Sequence, residues 1–397
     1  MIVAALRETF PGERRVALVP ASVPPLVKAG WEVRIEKSAG LAAGFPDAEY
    51  QEKGAAIVSR ADALAAQCLV QVRTLGANPQ AGMADLPQLH AGQVLIGLAD
   101  PLGMPAPQQV LAERGVTLFG LELVPRISRA QSMDVLSSQA TVAGYRAVLL
   151  GATALGKMFP MLTTAAGTIT PAKALVIGAG VAGLQAIASA RRLGAVVSAY
   201  DVRSAVKEQV QSLGARFVEM SLVTAQTEAA GGYAKQMDES FYRQQRELML
   251  NVVAASDLVI TTAAVPGKKA PTLVTAEMVA AMATGSVIVD VAAERGGNCE
   301  LTKPGETIVS GGVTILGPTN LPAEVPYPAS QMYAKNVTTF LAQLAKDGEW
   351  RIDRKDEIVR ETLIAIGGNV VNERVREVLG LGELMSKYDV RPPIELE

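Results

Sequence analysis

One histidine and two cysteines stand in 397 residues. From His90, Cys68 and Cys299 alone, no zinc-ligand set can be built by the usual spacing rules. A Ser-His-Asp triad would have to use His90, which sits in the turn-like LPQLHAGQ and reads as a surface residue. Long apolar runs are lacking too. The longest such region, AVLLGATALG, is about half a membrane span, and Arg146 and Lys157 bracket it. The N-terminal MIVAALRE lacks the n-region and apolar stretch of a signal peptide. Charge of one sign is equally scarce: the formal net charge is −2 with no long basic run, which argues against nucleic-acid binding. These absences leave the chemistry to carboxylates, arginines, amides or a borrowed cofactor. They predict a soluble, cytoplasmic protein whose membrane element, if it has one, belongs to another chain.

What is present is a packed globular composition, 49% hydrophobic and 19% charged. The length is too great for one typical core, so two domains are expected. The first 125 residues alternate strand and helix patterns. MIVAAL, WEVRIEK, CLVQVRT, QVLIGLA and GVTLFGLE read as strands, with ASVPPLVKAG and ADALAAQ as helices between them. Repeated strand–helix–strand units predict a parallel sheet covered on both faces. A long helix rich in Ala, Gly and Ser, suited to close packing, is expected over 133–158. A second α/β run begins at Ala174, and another helix, SQMYAKNVTTFLAQLAKD, begins near 328. The expected fold is α/β: two Rossmann-like, doubly wound parallel-sheet domains joined by long helices. The first would be discontinuous, residues 1–135 with 325–397, and the second would span 136–324.

The strongest motif lies in ALVIGAGVAGLQAIASARRLGAVVSAYDVR, residues 174–203. An apolar strand runs through Gly178, Ala179, Gly180, Val181 and Gly183 into a helix, and a second strand ends at Asp201, Val202 and Arg203. Gly178 permits a tight turn, Gly180 lets the backbone approach a pyrophosphate, and Gly183 lets helix and strand pack closely. The helix N-terminus supplies N–H groups and a positive dipole end for phosphates. Asp201 suits the adenosine ribose and would repel a 2′-phosphate, which favours NAD(H) over NADP(H). Arg203 could accept that phosphate, but Asp201 argues against it. Further strands, SDLVITTAAVPGKKAP and SVIVDVAAERGGNCELT, would bring Thr262, Ala263, Asp290 and the pair Gly296–Gly297 to the ligand edge of the same sheet. Thr262 and Ala263 could border the nucleotide. Asp290 could be a site residue or a strand-end aspartate holding a loop.

A second unusual block is PRISRAQSMDVLSSQ, residues 125–139, with two arginines, two glutamines, an aspartate and four serines between apolar runs. A surface loop or the lip of an active site could look like this. Taken with ERRVALVP (13–20), VIGAGVAGLQAIA (176–188), GGYAK (231–235), ITTAAVPGKKAP (260–271) and VDVAAERGGNC (289–299), the block resembles the NAD(H)-binding component, domain I or the α/α1 subunit, of proton-translocating NAD(P) transhydrogenases. The likeness covers about residues 5–340. It implies a homodimer binding NAD(H) in a cleft and exchanging hydride with NADP(H) on a partner subunit. A membrane-spanning component would couple that step to proton translocation, leaving this chain peripheral to the inner membrane. It further implies that Arg126, Gln131 and Asp134 sit beside the nicotinamide, and that GGYAKQM is a mobile loop contacting nucleotide through Tyr233. Ser137 and Ser138 are expected at helix-packing positions.

Alanine dehydrogenases are similar in architecture and give the alternative reading of a stand-alone NAD-dependent amino-acid dehydrogenase. Their arginine matches Arg15, but their lysine, histidine and aspartate positions correspond to Arg73, Ala99 and the vicinity of Glu294. The missing histidine removes an expected proton donor. A non-catalytic NAD(H) sensor is a third reading. The segment 366–397 reads as helical at its middle, where the family usually ends domain I in a short β hairpin.

Overall fold

The computed structural model describes residues 1–219, 228–229, 233–234, 239–264, 267, 269–346 and 349–382. The chain divides into two compact units, Met1–Gln139 with Ala323–Glu397, and Ala140–Pro322. Each is an α/β unit built on one large sheet.

In the first unit the eight strands lie in the order Asn369–Val370, Leu363–Ile366, Thr117–Gly120, Val94–Leu98, Cys68–Arg73, Ile2–Ala5, Glu32–Glu36, Ala56–Val58. The last six run parallel. Leu363–Ile366 joins antiparallel to Thr117–Gly120 and turns back as a tight hairpin through Gly367 and Gly368, both at positive φ. The chain's last third thus re-enters the sheet laid down by its first. Alternation along one strand shows how both faces are covered: Val3 and Ala5 point into one core, Ala4 and Leu6 into the other. The segment after the hairpin is helical only over Glu373–Val378, where the Asn372 side chain accepts from Val375 N.

The second unit's seven strands lie in the order Arg216–Phe217, Val196–Tyr200, Lys173–Ile177, Leu258–Thr261, Val287–Asp290, Val313–Leu316, Thr307–Ser310, all parallel except the last. Ala174 and Val176 face one core, Leu175 and Ile177 the other. In both sheets the earliest strand lies inside, with later strands added on either side. Chain direction across each sheet therefore reverses at one gap: between Ile2–Ala5 and Cys68–Arg73 in the first, and between Lys173–Ile177 and Leu258–Thr261 in the second. Ligands of such sheets bind beyond the carboxyl ends of the strands at that gap.

The long helix runs over Val135–Ala154, shorter than the sequence pattern predicts. Its start is fixed by Asp134, whose Oδ1 accepts from Ser137 N at 2.9 Å, an N-cap bond. A 3-10 turn, Ser128–Met133, takes up the residues before it. Among the described residues no helix is long and apolar enough to cross a membrane. The helix's small residues do allow close packing. A Cβ on Gly144 would lie 2.1 Å from the Ala182 carbonyl oxygen, so Gly144 is the contact at which this helix meets Val181–Arg192. Gly144→Val should therefore lower stability by about 2–3 kcal/mol, the usual range for overpacking. Chemical denaturation reads this directly, and an unchanged midpoint would show that the two helices can part without cost.

Candidate functional site

At the second unit's reversal point, Gly178 turns the chain at φ +96°, a left-handed conformation open to glycine. A Cβ on Gly183 would lie 1.8 Å from the Gly178 carbonyl oxygen, so the first turn of the helix rests directly on the strand end. Gly180 differs. Its φ of −78° is ordinary, and a Cβ there would meet nothing within 4 Å. Its missing side chain leaves open space rather than a contact. Val181–Arg192 has no side-chain cap and no acidic residue in its first turn, so its leading N–H groups remain for an anion. These features fit a dinucleotide pyrophosphate.

Asp201, at the end of the neighbouring strand, reaches this loop: its Oδ2 accepts from Ala179 N at 2.7 Å. The same carboxylate holds Arg203, accepting from its N at 2.9 Å, Nε at 3.0 Å and Nη2 at 2.9 Å. The two residues that the motif sets in opposition over a 2′-phosphate are thus joined as an ion pair. Thr262 lies on the other side of the turn, donating from Oγ1 to the Gly178 carbonyl oxygen at 3.0 Å. Ala263 donates its N–H to Asn298 Oδ1 at 3.0 Å and accepts from Asn298 Nδ2 at 2.8 Å. Asn298 is fully buried and also donates to Pro271 O. Nothing in the sequence singles it out, because the glycine pair before it is the more conspicuous feature.

Asp290 is fully buried and takes five hydrogen bonds: Thr261 Oγ1 and Ala292 N on Oδ1; Asn298 N, Cys299 N and Thr302 Oγ1 on Oδ2. Of the two readings open for it, the geometry gives the loop-holding one. Gly296 and Gly297, both at positive φ, let the chain curl around this carboxylate. Glu294 accepts from Asn320 N. His90 is exposed.

The 125–139 block belongs to the first unit. Ala130 and Met133 are buried in its core, while Arg126, Arg129 and Gln131 are exposed. Arg129 pairs with Asp356 at 2.7 Å. Asp134 caps the long helix and also accepts from Ser137 Oγ at 2.6 Å. Ser137 and Ser138 do more than fill packing positions, which corrects the expectation. Ser138 Oγ donates to Asn336 Oδ1 at 2.7 Å, and Asn336 Nδ2 returns a bond to Ser132 O. Most of the block's polarity is therefore spent on anchoring it to the helix Pro326–Leu344. Of Tyr233 only the backbone is described, paired with Ala229. Its side chain and the rest of GGYAKQM, apart from the backbone of Ala234, lie outside the described residues.

A further cluster occupies the first unit's reversal point, and the sequence pattern points only to Arg15 and Arg73 in it. Glu8 accepts from Val72 N at 2.6 Å and Arg73 N at 3.2 Å. Glu13 accepts from Arg15 Nη2 at 2.7 Å and Arg73 Nε at 3.2 Å. Arg73 also lies over the Phe10 ring, 4.2 Å from its centroid. Tyr333, fully buried, donates to Gln71 O. The available signal was RETFPGERR, a dense charge run directly after an apolar strand. Ala99 and Asp100 donate their N–H groups to Glu122.

Two family models match the chain: Alanine dehydrogenase/PNT, N-terminal domain, over residues 4–143, and Alanine dehydrogenase/PNT, C-terminal domain, over 147–373. The first of the separate chains that make up NAD(P) transhydrogenase subunit alpha in Rhodospirillum rubrum is 46% identical over 376 residues, covering 94% of this chain and 98% of that one. The crystal structure of transhydrogenase from Sinorhizobium meliloti superposes with a TM-score of 0.84 at 44% identity, covering 94% of this chain and all of that one. Alanine dehydrogenase of Bacillus subtilis is 29% identical, covering 96% and 95%.

Burial and the nearby Glu13 charge push the Glu8 carboxyl up from 4.5 to about 8. A carboxyl raised in this way holds its proton more tightly when folded than when unfolded. Its stabilising contribution is full below the unfolded value and is lost as pH rises through the folded one. Glu8→Gln keeps an acceptor for Val72 N and removes the titration. The thermal midpoint of the parent should therefore fall relative to Glu8→Gln between about pH 5 and pH 8. A difference that stays flat across that window would refute the raised value.

Proposed function

The chain belongs to the alanine dehydrogenase/PNT family, and we propose that within it this protein is the NAD(H)-binding subunit of a proton-translocating NAD(P) transhydrogenase. The observation that carries the reading is the contrast among relatives, with identity to transhydrogenase subunits well above that to alanine dehydrogenase. In this reading bound NAD(H) supplies or accepts the hydride, and NADP(H) is held by a partner subunit. The membrane-spanning partner couples the exchange to proton movement, and this chain stays on the cytoplasmic side, attached through its partners.

The chain's own residues bind, orient and exclude water. Gly178, Ala179, Gly180, Val181 and Gly183 present the backbone and the helix N-terminus to the pyrophosphate. Asp201 takes the adenosine ribose, held in place by Arg203 and by the Ala179 N–H, while Val202 lies between the pair. Thr262 and Ala263 border the nucleotide, and Asn298 keeps Ala263 in position. Arg126, Gln131, Asp134 and Tyr233 are assigned to the nucleotide's reacting end. Arg126 offers a planar fork for a phosphate or carboxamide, and Gln131 an exposed amide. Asp134 sets the block's direction by capping the helix that follows it. Hydride exchange between two nicotinamides needs ring alignment and dryness rather than an acid or base.

A homodimer fits one further feature. The antiparallel pair Leu162–Thr164 and Gly167–Ile169 is exposed along its whole length, with Met161 66%, Leu162 40% and Ile169 45% accessible. Apolar surface of this kind suits a second copy of the chain. Replacing the three side chains with serine should give a monomer by sedimentation, and an unchanged dimer would remove this hairpin from the interface.

The function is tested by mixing the purified chain with an NADP(H)-binding transhydrogenase subunit. Hydride exchange should need both proteins, and pyruvate with ammonia should not be turned over by this chain alone. Efficient turnover of a small acid without a partner would overturn the proposal in favour of an alanine-type dehydrogenase. Nucleotide choice gives a sharper check by calorimetric titration. Asp201→Ala should weaken NADH by about tenfold and strengthen NADPH, because it releases Arg203 for the 2′-phosphate. Gly180→Leu should fold normally, since its φ and surroundings admit a side chain, yet weaken NADH by about 100-fold or more. Gln131→Asn should leave NADH affinity unchanged and slow exchange. If it weakens binding as much as exchange, Gln131 belongs to the binding site.

A further inference from the structure

The two sheets each have one reversal point, and they are furnished in opposite ways. The second holds glycines and open space. The first holds a carboxylate gripped by two arginines. Glu13 lies just past the exposed Pro11–Gly12 turn, with Gly12 at φ +77°, and its side chain is fully buried. Oε1 accepts from Arg15 Nε at 2.8 Å, and also from Arg15 N at 3.1 Å and Arg14 N at 3.2 Å. Oε2 accepts from Arg15 Nη2 at 2.7 Å and Arg73 Nε at 3.2 Å. Arg15 is only 3% exposed, and its remaining Nη1 donates to Gln139 Oε1 at 2.8 Å.

Two parallel N–H···O bonds from one guanidinium to one carboxylate are the geometry by which proteins grip carboxylate ligands. Here that geometry stands where a ligand of this sheet type would bind, beyond the carboxyl ends of Ile2–Ala5 and Cys68–Arg73. The guanidiniums come from two separate segments, and a helix residue, Gln139, orients one of them. We propose that Glu13 is a resident carboxylate that fills an otherwise complete carboxylate-binding site of Arg15, Arg73 and Gln139, and so keeps small carboxylic acids out of the chain. Glu13 is then a specificity-determining residue, and the ligand class it displaces is a small monocarboxylate of the size of formate or acetate. The closing carboxylate comes from within the chain, two residues from its main partner, so an external acid competes against a group that is always present.

The test removes the side chain and supplies the carboxylate from solution. Glu13→Ala leaves buried guanidiniums unpaired, so its thermal midpoint should drop. Sodium formate or acetate should then raise it saturably by at least about 3 °C over sodium chloride of equal ionic strength. The parent protein should show no such difference, nor should Glu13→Ala combined with Arg15→Met. Isotope-labelled acetate should show binding to Glu13→Ala by NMR and none to the parent. The proposal is overturned if Glu13→Ala does not respond, or if the parent or the double variant responds equally. Should Glu13→Ala not accumulate in soluble form, refolding in formate against chloride gives the same answer. Recovery in formate only supports the site, and equal failure in both salts sinks it. No nucleotide is present in any arm, so the outcome is separate from that of the transhydrogenase reading.

Discussion

The second unit's candidate site depends on one close approach. The helix Val181–Arg192 rests so near the strand before it that a Cβ on Gly183 would fall 1.8 Å from the Gly178 carbonyl oxygen. No side chain can be accommodated there by a small shift, because the atom it would meet is backbone. That approach keeps the intervening loop to a few residues. It places the Ala179 N–H within 2.7 Å of Asp201 on the neighbouring strand and brings Thr262 onto the Gly178 carbonyl from the other side. The same helix has to admit Gly144 of the long helix at its outer surface, a second contact that tolerates no Cβ. The helix is thus fixed from two sides by missing side chains, and its N-terminus has little freedom to be anywhere else.

Parallel sheets bury both faces, so polar side chains collect at the strand ends. How each edge is satisfied decides what it can do. Around the second sheet, Asp290 gathers five donors and Asn298 ties three loop segments together, leaving the glycine turn as the under-furnished part of the edge. Around the first sheet the charges are paired with one another: Glu13 with Arg15 and Arg73, and Glu8 with the Val72 and Arg73 amides. A desolvated guanidinium without an anion is costly, and an anion supplied by the chain removes that cost without leaving a place for a ligand.

What could be read from sequence followed from periodicity and from backbone chemistry. The alternation in MIVAAL and WEVRIEK, and the glycine spacing after ALVI, lead to the parallel α/β architecture because strand pleat and steric limits act locally. The return of Leu363–Val370 to the first sheet was legible only as a suspicion, since nothing local in LIAIGGNV names its partner strand. Asn298 and Glu13 were harder still. Their roles exist only once segments far apart in the chain are brought together, as when Asn298 meets Ala263 and Pro271. The polar block at 125–139 was visible as unusual, but the sequence could not divide its residues between anchoring and exposure. Burial of Ala130 and Met133 and the bonds to Asn336 make that division.

That division bears on the chemistry. A reaction that moves a proton to a carbonyl or imine needs a titratable group left free to do so. In this chain the carboxylates nearest the strand ends are already committed. Asp290 holds a loop, Asp134 caps a helix, Asp201 grips Arg203, and Glu13 grips two arginines. The lone histidine is exposed in a turn, and the position matched to the dehydrogenases' histidine is buried Ala99. Hydride exchange between two nicotinamides asks for none of these groups to titrate. It asks that they stay where they are, holding loops and ribose in register while the rings meet away from water. A framework in which ionisable side chains serve as struts suits such a reaction, and the same commitments would hinder a chain that had to use them as acids and bases.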